Sequence, residues 1–463
     1  MSAAFQTSTL NFSISSRELF KSIAHLPWSM LLDSGSSSHI DARYDIVVFD
    51  PVMTLVTDDK NTTVVDKKNG QTNTFSANPF DVLAQELARL DFCKQDQELP
   101  FTGGALGLFG YDLGRHCESI NNESAQDIEL PVMAVGIYQH AIIFDRRKNT
   151  INAVSQSNHQ EHDQYISTID AHLKSRLEVK SFKTLSAWEH QIGQDEYTEK
   201  FHRVQRHLRA GDCYQINLTQ RFSLSKAGDE YAAYQALTSA NETPFSAFIR
   251  LDEYAVLSLS PERFLQTKGK LIETKPIKGT MPRSKDPIKD LALKKRLETS
   301  EKDQSENLMI VDLLRNDIGR SAVAGSVQVP KLFDIESFEN VHHLVSTITA
   351  QLPDNVSPLK LLRDAFPGGS ITGAPKISAM NIIDTLEPSR RSIYCGSIGY
   401  ISANGNMDTS ITIRTLLSTK DTMYCWAGGG IVADSTAEAE YQECFDKLAS
   451  IMPVLSGLTA EKD

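Results

Sequence analysis

Apolar and polar positions alternate through the first part of the chain in runs of strand length. "DIVVFDP" (45–51) and "AVGIYQHAIIFDRR" (134–147) read as strands, with the glycine-rich "FTGGALGLFGYDLGRH" (101–116) between them. The period then lengthens. After the turn-forming "RRKNTIN", Ile166, Ile169, Leu173 and Leu177 recur at helical spacing. Residues 180–195 are polar and mark a boundary, beyond which helical and strand patterns alternate irregularly. "EYTEKFHRVQRHLRAGD" predicts a helix stopped at Gly211, "CYQINLTQRFSL" a strand, and "PFSAFIRLDEYAVLSLSPERF" a strand pair. "KDLALKKRLETSEKDQSENLMIVDLLRNDIGR" predicts one long helix to about Arg315. "SIYCGSIGYIS", "MDTSITIRTLLS" and "TMYCWAGGGIVAD" predict three strands joined by short turns, and strands so joined pair antiparallel. The expected class is α+β, with large antiparallel sheets packed by helices.

At 463 residues the chain is long enough for two or three average domains, or for one large intertwined unit. Forty per cent apolar and 23% charged residues suit an ordinary soluble globular protein. A net charge of −12 argues against unassisted binding to nucleic acid or an anionic membrane, yet it leaves room for a locally basic pocket and a small anionic substrate. The first twenty residues lack the basic and apolar regions of a secretory signal, and no run of about 18 apolar residues occurs. The six cysteines show no C-x-x-C spacing, so reduced thiols and a cytoplasmic location are expected.

Two glycine-rich loops invite a nucleotide reading. "PGGSITGAPK" (367–376) has Ala-Pro where a phosphate loop needs Gly-Lys-Ser/Thr, and that reading is rejected. "GGGIVA" (428–433) follows a strand, but its helix cap comes later, at Ser435, and no acidic residue stands about 20 positions on. Glycines still let backbone N–H groups approach an anion. Pro375 is a natural first-turn residue for "PKISAMNIIDTL", and Ser435 with Glu438 forms a capping box for the last helix. In that helix Tyr441, Phe445, Leu448 and Met452 form an apolar face, with Glu440, Glu443 and Lys447 on another. Asp303 and Glu306 are one turn apart on the middle helix, on the face continued by Ile310 and Leu313. These two acidic pairs suit a magnesium ion that keeps waters and meets a carboxylated substrate, or simply two solvated faces.

Taken in order, "SPERF", "KPIKGTMPR", "ENLMIVDLLRNDIGR", "VHHLVSTITA", "PGGSITGAPKISAMNIID", "CGSIGYIS", "MDTSITIRT", "AGGGIVADS" and "EYQECFDK" resemble the motifs of the chorismate-utilising enzymes, in their aminodeoxychorismate synthase component I branch. The resemblance covers about 195–450, and "PWSMLLDSG" and "GGALGLFGYDL" match more loosely. It implies two facing antiparallel sheets with the active site in the cleft between them. Residues 195–450 would form the catalytic domain, 1–150 an N-terminal region integrated into the body, 151–194 a helical connection and 451–463 a tail.

Further implications follow by position. Lys278 of "PIKGT" stands where anthranilate synthases carry alanine, and it would be the nucleophile toward chorismate C2. Glu262 of "SPERF" would protonate the departing C4 hydroxyl. Glu306 and Glu443 match magnesium ligands, with Asp303 and Glu440 supporting them through water. Tyr400, Arg414 and the backbone of Gly428 and Gly430 match positions that hold the enolpyruvyl carboxylate, and His343, Ser370, Thr372 and Lys447 match other substrate-binding positions. Ser34, Pro244 and Phe245 match a tryptophan pocket, regulatory or merely structural. Ammonia would come from a separate glutamine amidotransferase subunit, and the product, 4-amino-4-deoxychorismate, would pass to a lyase. The rivals are anthranilate synthase, which Lys278 opposes; salicylate and isochorismate synthases, which use a lysine to activate water; and a catalytically inert tryptophan-binding regulator.

Overall fold

The computed structural model describes residues 5–35, 39–94, 98–175, 180–337 and 341–458. Two large sheets organise them. The first runs from Phe5–Leu10 through Thr150–Gln156, His140–Asp145, Tyr44–Val48, Met30–Asp33, Phe245–Arg250, Ala255–Ser260, Thr415–Ser418 and Thr422–Ile431 to Gln215–Ala227. The second runs from Ile277–Pro282 through Val341–Gln351, Leu271–Thr274, Arg263–Lys268, Met407–Ile411, Ser397–Ser402, Gly104–Phe109, Met133–Tyr138, Met53–Thr57 and Thr62–Asp66 to Thr72–Phe75. Neighbouring strands pair antiparallel, as in Phe248↔Leu257 of the expected strand pair and Leu417↔Tyr424 near the end of the chain.

Strand alternation divides the core in two. Ile46, Val48, Ala247 and Ile249 of the first sheet meet Leu106, Val135, Leu265 and Ile398 of the second. The intervening Val47 and Phe248 point the other way, among helices such as Ser16–Lys21, His159–Lys174, Gln194–Ala210, Glu230–Ala240 and Ala437–Asp446. The sheets therefore face each other across one core, and helices cover the outer face of the first. Residues 1–150 supply strands to both sheets.

The structure corrects several element boundaries. "AVGIYQHAIIFDRR" is not one strand: Met133–Tyr138 belongs to the second sheet and His140–Asp145 to the first. "MDTSITIRTLLS" divides likewise, into Met407–Ile411 and Thr415–Ser418, with Arg414 at φ 51° between them. The expected long helix is two, Pro287–Glu298 and Glu301–Gly319. Ser300 accepts a bond from the Asp303 N–H at 3.3 Å, which caps a new start within the pattern. Pro375 is the N-cap of Lys376–Leu386 rather than its first residue. Thr436, not Ser435, caps Ala437–Asp446, because the Ser435 hydroxyl is spent on Glu440 Oε1 at 2.7 Å. Leu448 and Met452 lie beyond that helix, Met452 opening the short Met452–Ser456. Leu177 and residues 459–463 lie outside the described residues. The cysteines are all free, and no described helix is long and apolar enough to cross a membrane.

Candidate active site

The chain crosses from the first sheet to the second at Pro261–Glu262 and returns at Thr412–Arg414. The two crossings are bonded side by side. Ile411 N–H donates to Glu262 O at 3.1 Å, Leu259 N–H to Arg414 O at 3.0 Å, and the Ser260 hydroxyl to Ile411 O at 2.6 Å. Glu262 and Arg414 thus stand where the sheets part, on backbone anchored from both. A non-glycine residue at φ 51° is uncommon and costs about 1 kcal/mol or more, so Arg414 is held there by its surroundings.

Glu262 is buried, and burial raises its carboxyl to about 7 against the pull of Lys278 and a bond from Ser370 Oγ at 3.2 Å. Arg414 is the reverse case. Burial depresses its guanidinium, and no carboxylate pairs with it among the described residues. A guanidinium with no carboxylate partner among the described residues, held where the sheets part, suits a carboxylated ligand.

Lys278 lies on Ile277–Pro282, opposite Leu344, at a register shift that ends at Thr280. Between them Gly279 takes φ 77°, and a Cβ there would come within 2.8 Å of both Asp303 Cγ and Leu297 Cδ1. Only glycine lets the two middle helices pack this closely on the strand. Lys278 is half-buried rather than sealed in, and its charge acts on both Glu262 and Glu306. His343 Nδ1 meets Thr280 Oγ1 at 2.8 Å, and burial with Arg414 nearby pushes the imidazole down to about 4.

The glycines of Thr422–Ile431 show their use in the pairing. Asn217 stands opposite Gly430, yet its N–H donates to Thr372 O at 2.9 Å; Thr219 stands opposite Gly428, and its N–H donates to Glu387 Oε1 at 3.0 Å. Residues opposite each other that do not exchange bonds turn their backbone groups to the outer edges. Gly428 and Gly430 therefore turn their N–H and C=O groups away from Gln215–Ala227. On that far side Thr415–Ser418 pairs only as far as Cys425, so the edge is open toward the crossing at Arg414. Lys447 reaches it, donating to Gly428 O at 2.7 Å while also pairing with Glu443 at 2.7 Å.

The acidic set comes from two helices. Burial raises the Glu306 carboxyl, opposed by Lys278 and Lys302 and reinforced by Asp303 and Glu443. Burial also raises Glu440, whose Oε2 is enclosed with no hydrogen-bond partner, and Glu440 and Glu443 both press against the space above Gly429. Like charges gathered beside an unsatisfied carboxylate oxygen fit a hard divalent cation with oxygen ligands. They do not close into a dry cage. Among the described residues the only trio with ligand atoms within 4.8 Å is His39, Asp41 and Glu336, and Arg263 and Lys275 already neutralise its carboxylates.

Two expected substrate groups lie differently. Thr372 spends its hydroxyl on Gly368 O and Gly369 O, at 3.1 and 3.2 Å, which shapes its own loop. Tyr400 shares its face with Ile398 and lines a separate cavity of about 500 Å³, with Ser34, Pro244, Phe245, Arg43 and Asp408. Ser34 Oγ donates to Asp45 Oδ1 at 2.8 Å. The structure thus gathers Glu262, Lys278, Ser370, Arg414, His343, Gly428, Gly430, Lys447 and the four acids in one region where the sheets part, and leaves Tyr400 with the second cavity.

Residue types alone did not single out Arg391. It is fully buried, pairs with Glu387 at 2.7 Å, and donates to Ile371 O and Asn217 O, so it ties the Ser370 loop to the strand carrying Asn217. An arginine four residues after a glutamate was the signal available in the sequence.

Residues 30–453 match the profile of the chorismate binding enzymes. The chain is 53% identical over 439 residues to aminodeoxychorismate synthase component 1 of Escherichia coli (strain K12), covering 94% of this chain and 95% of that protein. It is 32% identical over 454 residues to anthranilate synthase component 1 of Acetivibrio thermocellus, covering 94% and 92%. The crystal structure of anthranilate synthase component I from Streptococcus pneumoniae TIGR4 superposes with a TM-score of 0.80 at 31% identity, over 90% of this chain and 93% of that one. With residues 30–453 matched by the profile and relatives aligned over nearly its whole length, this chain belongs to the chorismate binding enzymes.

Proposed function

We propose that the chain is the chorismate-converting component of an aminodeoxychorismate synthase, replacing the C4 hydroxyl of chorismate with an amino group. The observation that carries this reading is Lys278 beside a buried Glu262 whose carboxyl is raised to about 7, a nucleophile and a proton donor acting on one another. The strong likeness to proteins named for that activity supports it.

The Lys278 amine attacks C2, forming a C–N bond as both double bonds of the ring diene shift, through C1, C6 and C5, and the C4–O bond breaks. Glu262 gives its proton to the leaving oxygen, which departs as water. Ammonia then adds at C4, both double bonds return, and the C2–N bond to Lys278 breaks; the proton shed by the new amine returns to Glu262. Two conjugate displacements through the diene place nitrogen on the carbon the hydroxyl left. Arg414 and the open backbone edge at Gly428 and Gly430 hold the enolpyruvyl carboxylate, with Lys447 alongside. Glu306 and Glu443, supported by Asp303 and Glu440, would hold magnesium. When bound, the ion neutralises and orients the ring carboxylate. Tryptophan, or a molecule of its size, would occupy the 500 Å³ cavity at Ser34, Pro244 and Phe245.

The test of the reaction is the product formed from chorismate, magnesium and an ammonium salt. Material that a lyase converts to 4-aminobenzoate supports the reading; fluorescent anthranilate, or isochorismate, overturns it.

The acid role fixes the pH dependence. A donor with its carboxyl at about 7 is loaded below that pH and empty above it. At constant free ammonia, kcat/KM is expected to fall about tenfold per unit once pH passes about 7. Glu262→Gln, which has no proton to give, is expected to lose activity and that descending limb together. A limb that survives in the variant assigns the titration elsewhere.

The partner is a separate glutamine amidotransferase subunit. Among the free cysteines, Cys213 sits just before the strand Gln215–Ala227, buried and held protonated by that burial. The purified chain is therefore expected to use ammonium salts and not glutamine. Glutamine-dependent turnover by the chain alone, free of contaminating glutaminase, overturns this.

A further inference from the structure

The loop 366–375, which carries Ser370, is closed at its base by the side chain of Lys376. This first residue of the helix Lys376–Leu386 reaches back across the loop and donates to Ala365 O at 2.9 Å. Ala365 is the last residue of the helix Pro358–Ala365, so the ammonium meets a C-terminal carbonyl, where positive charge is favoured. The same ammonium pairs with Asp317 Oδ1 at 2.8 Å, and the two side chains are only 8% and 3% exposed. The base of the loop is thereby pinned to the helix Glu301–Gly319.

Two features make the pair a costly way merely to join elements. A lysine in the first turn of a helix works against the helix dipole, and burial works against its charge. Asp317 Oδ2 is enclosed with no hydrogen-bond partner, and burial pushes the carboxyl up, opposed chiefly by Lys376. The other charges acting on Asp317, Arg320 and Glu118, pair with each other at 3.2 Å. A buried ion pair adds little stability over well-packed apolar residues. What it supplies here is one fixed geometry.

That geometry leads to the proton donor. Oδ2 faces Gly369, where a Cβ would lie 3.3 Å from it and 2.5 Å from Leu313 Cδ2. Only glycine lets the turn Gly369–Ile371 settle this closely on the helix. The next residue, Ser370, donates to Glu262 Oε1 at 3.2 Å. Asp317 also follows Glu306 on the same helix, about three turns along and within about 20° of the same face. The helix that presents Glu306 to the acidic set thus also sets the position of the loop that presents Ser370.

We propose that Asp317 and Lys376 are positioning residues for the reaction, holding Ser370 against Glu262 and so aiming the carboxyl that protonates the departing hydroxyl. The proposal rests on the reading of Glu262 as proton donor. It is tested with the full chain on chorismate, magnesium and an ammonium salt at constant free ammonia. Wild type is compared with Asp317→Asn, Lys376→Met, the two combined, Ser370→Ala, and Ser370→Ala added to the combined pair. Either single substitution strands one buried charge, so the combined variant, which strands none, carries the test where the singles fail to fold. The combined variant is expected to lose kcat by ~10–100-fold, with magnesium affinity near wild type. Around Glu262, Lys278, Lys447 and a backbone bond at Ile277 favour the charged form, as the Ser370 bond does. Without the Ser370 bond the carboxyl rises, so the descending limb of kcat/KM is expected to move up from about 7, by about half a pH unit or more. Ser370→Ala is expected to give the same loss and the same shift. Adding the pair to it is expected to change little further, because both act through one bond. A combined variant that does not fold, keeps wild-type kcat or leaves the limb unmoved overturns the proposal, as do losses that add in full or a Ser370→Ala chain that behaves as wild type. A Glu262→Gln chain that keeps the descending limb overturns the donor reading, and the positioning role with it.

Discussion

Lys278→Ala is expected to lose C4 amination by ~10³-fold or more, about 4 kcal/mol of barrier, while the protein stays folded and still takes up chorismate. The fold has little stake in this side chain. Lys278 is half-buried beside a register shift, and the strand is held by its pairing with Val341–Gln351 and by the helices packed on Gly279. Chorismate retains Arg414 and the open glycine edge in the variant, so KM is expected to move far less than kcat. Wild-type protein given chorismate and magnesium but no ammonia is expected to accumulate a covalent adduct on the peptide containing "PIKGT", and Lys278→Ala to show none. Lys278→Arg keeps the charge that acts on Glu262 and Glu306, but a guanidinium offers no free amine, so it is expected to fail too. That pair of variants separates nucleophile from counter-charge. Amination at near the wild-type rate in Lys278→Ala makes the lysine electrostatic and removes the two-step route.

The class of the fold was legible because alternation and short turns force antiparallel pairing, and strand pairs such as 245–260 appear where expected. Which sheet a strand joins was not legible. At Gln139 and at Thr412–Arg414 the apolar alternation runs on without a proline or glycine to mark the passage, so one strand was expected where the chain changes sheets. The unmarked passage at Thr412–Arg414 matters most for the site, because Arg414 owes its place to it, whereas Pro261 marks the crossing that places Glu262. The break in the middle helix was legible in part, since Ser300 is a good N-cap, but strong helix formers on both sides hid it.

The site residues were legible only through resemblance, since spacing alone allowed solvated acidic faces. Physical features in the structure sort them further. Gly428 and Gly430 are distinguished by the side to which their backbone turns, Arg414 by having no carboxylate partner among the described residues, and Glu262 by its raised carboxyl. Tyr400 looked equivalent to these in a motif. It lines the second cavity together with Ile398 and Gly399, a placement that no composition reveals.

Glu306→Gln and Glu443→Gln are expected to abolish most activity for a reason opposite to ordinary damage. In the metal-free protein these carboxylates oppose one another: Asp303 and Glu443 reinforce the upward push that burial gives the Glu306 carboxyl, and Glu443 does the same to Glu440. Replacing one with a neutral group of the same shape relieves that repulsion. Metal-free stability is therefore expected to hold or rise in either variant, and in Glu443→Gln the remaining Glu306 carboxyl is expected to titrate at lower pH than in wild type. Lys447 loses its 2.7 Å partner in Glu443→Gln but keeps Gly428 O. Magnesium affinity is expected to fall by ~10–100-fold or more, the order reported for weakened metal sites, and turnover with it. Calorimetric titration with magnesium, unfolding with and without the ion, and turnover at rising magnesium give three independent readouts. Loss of activity with stability intact and magnesium binding weakened assigns the acids to the ion. Near-normal turnover at moderate magnesium in either variant removes that carboxylate from the ligand set, and loss of fold in both makes the pair structural.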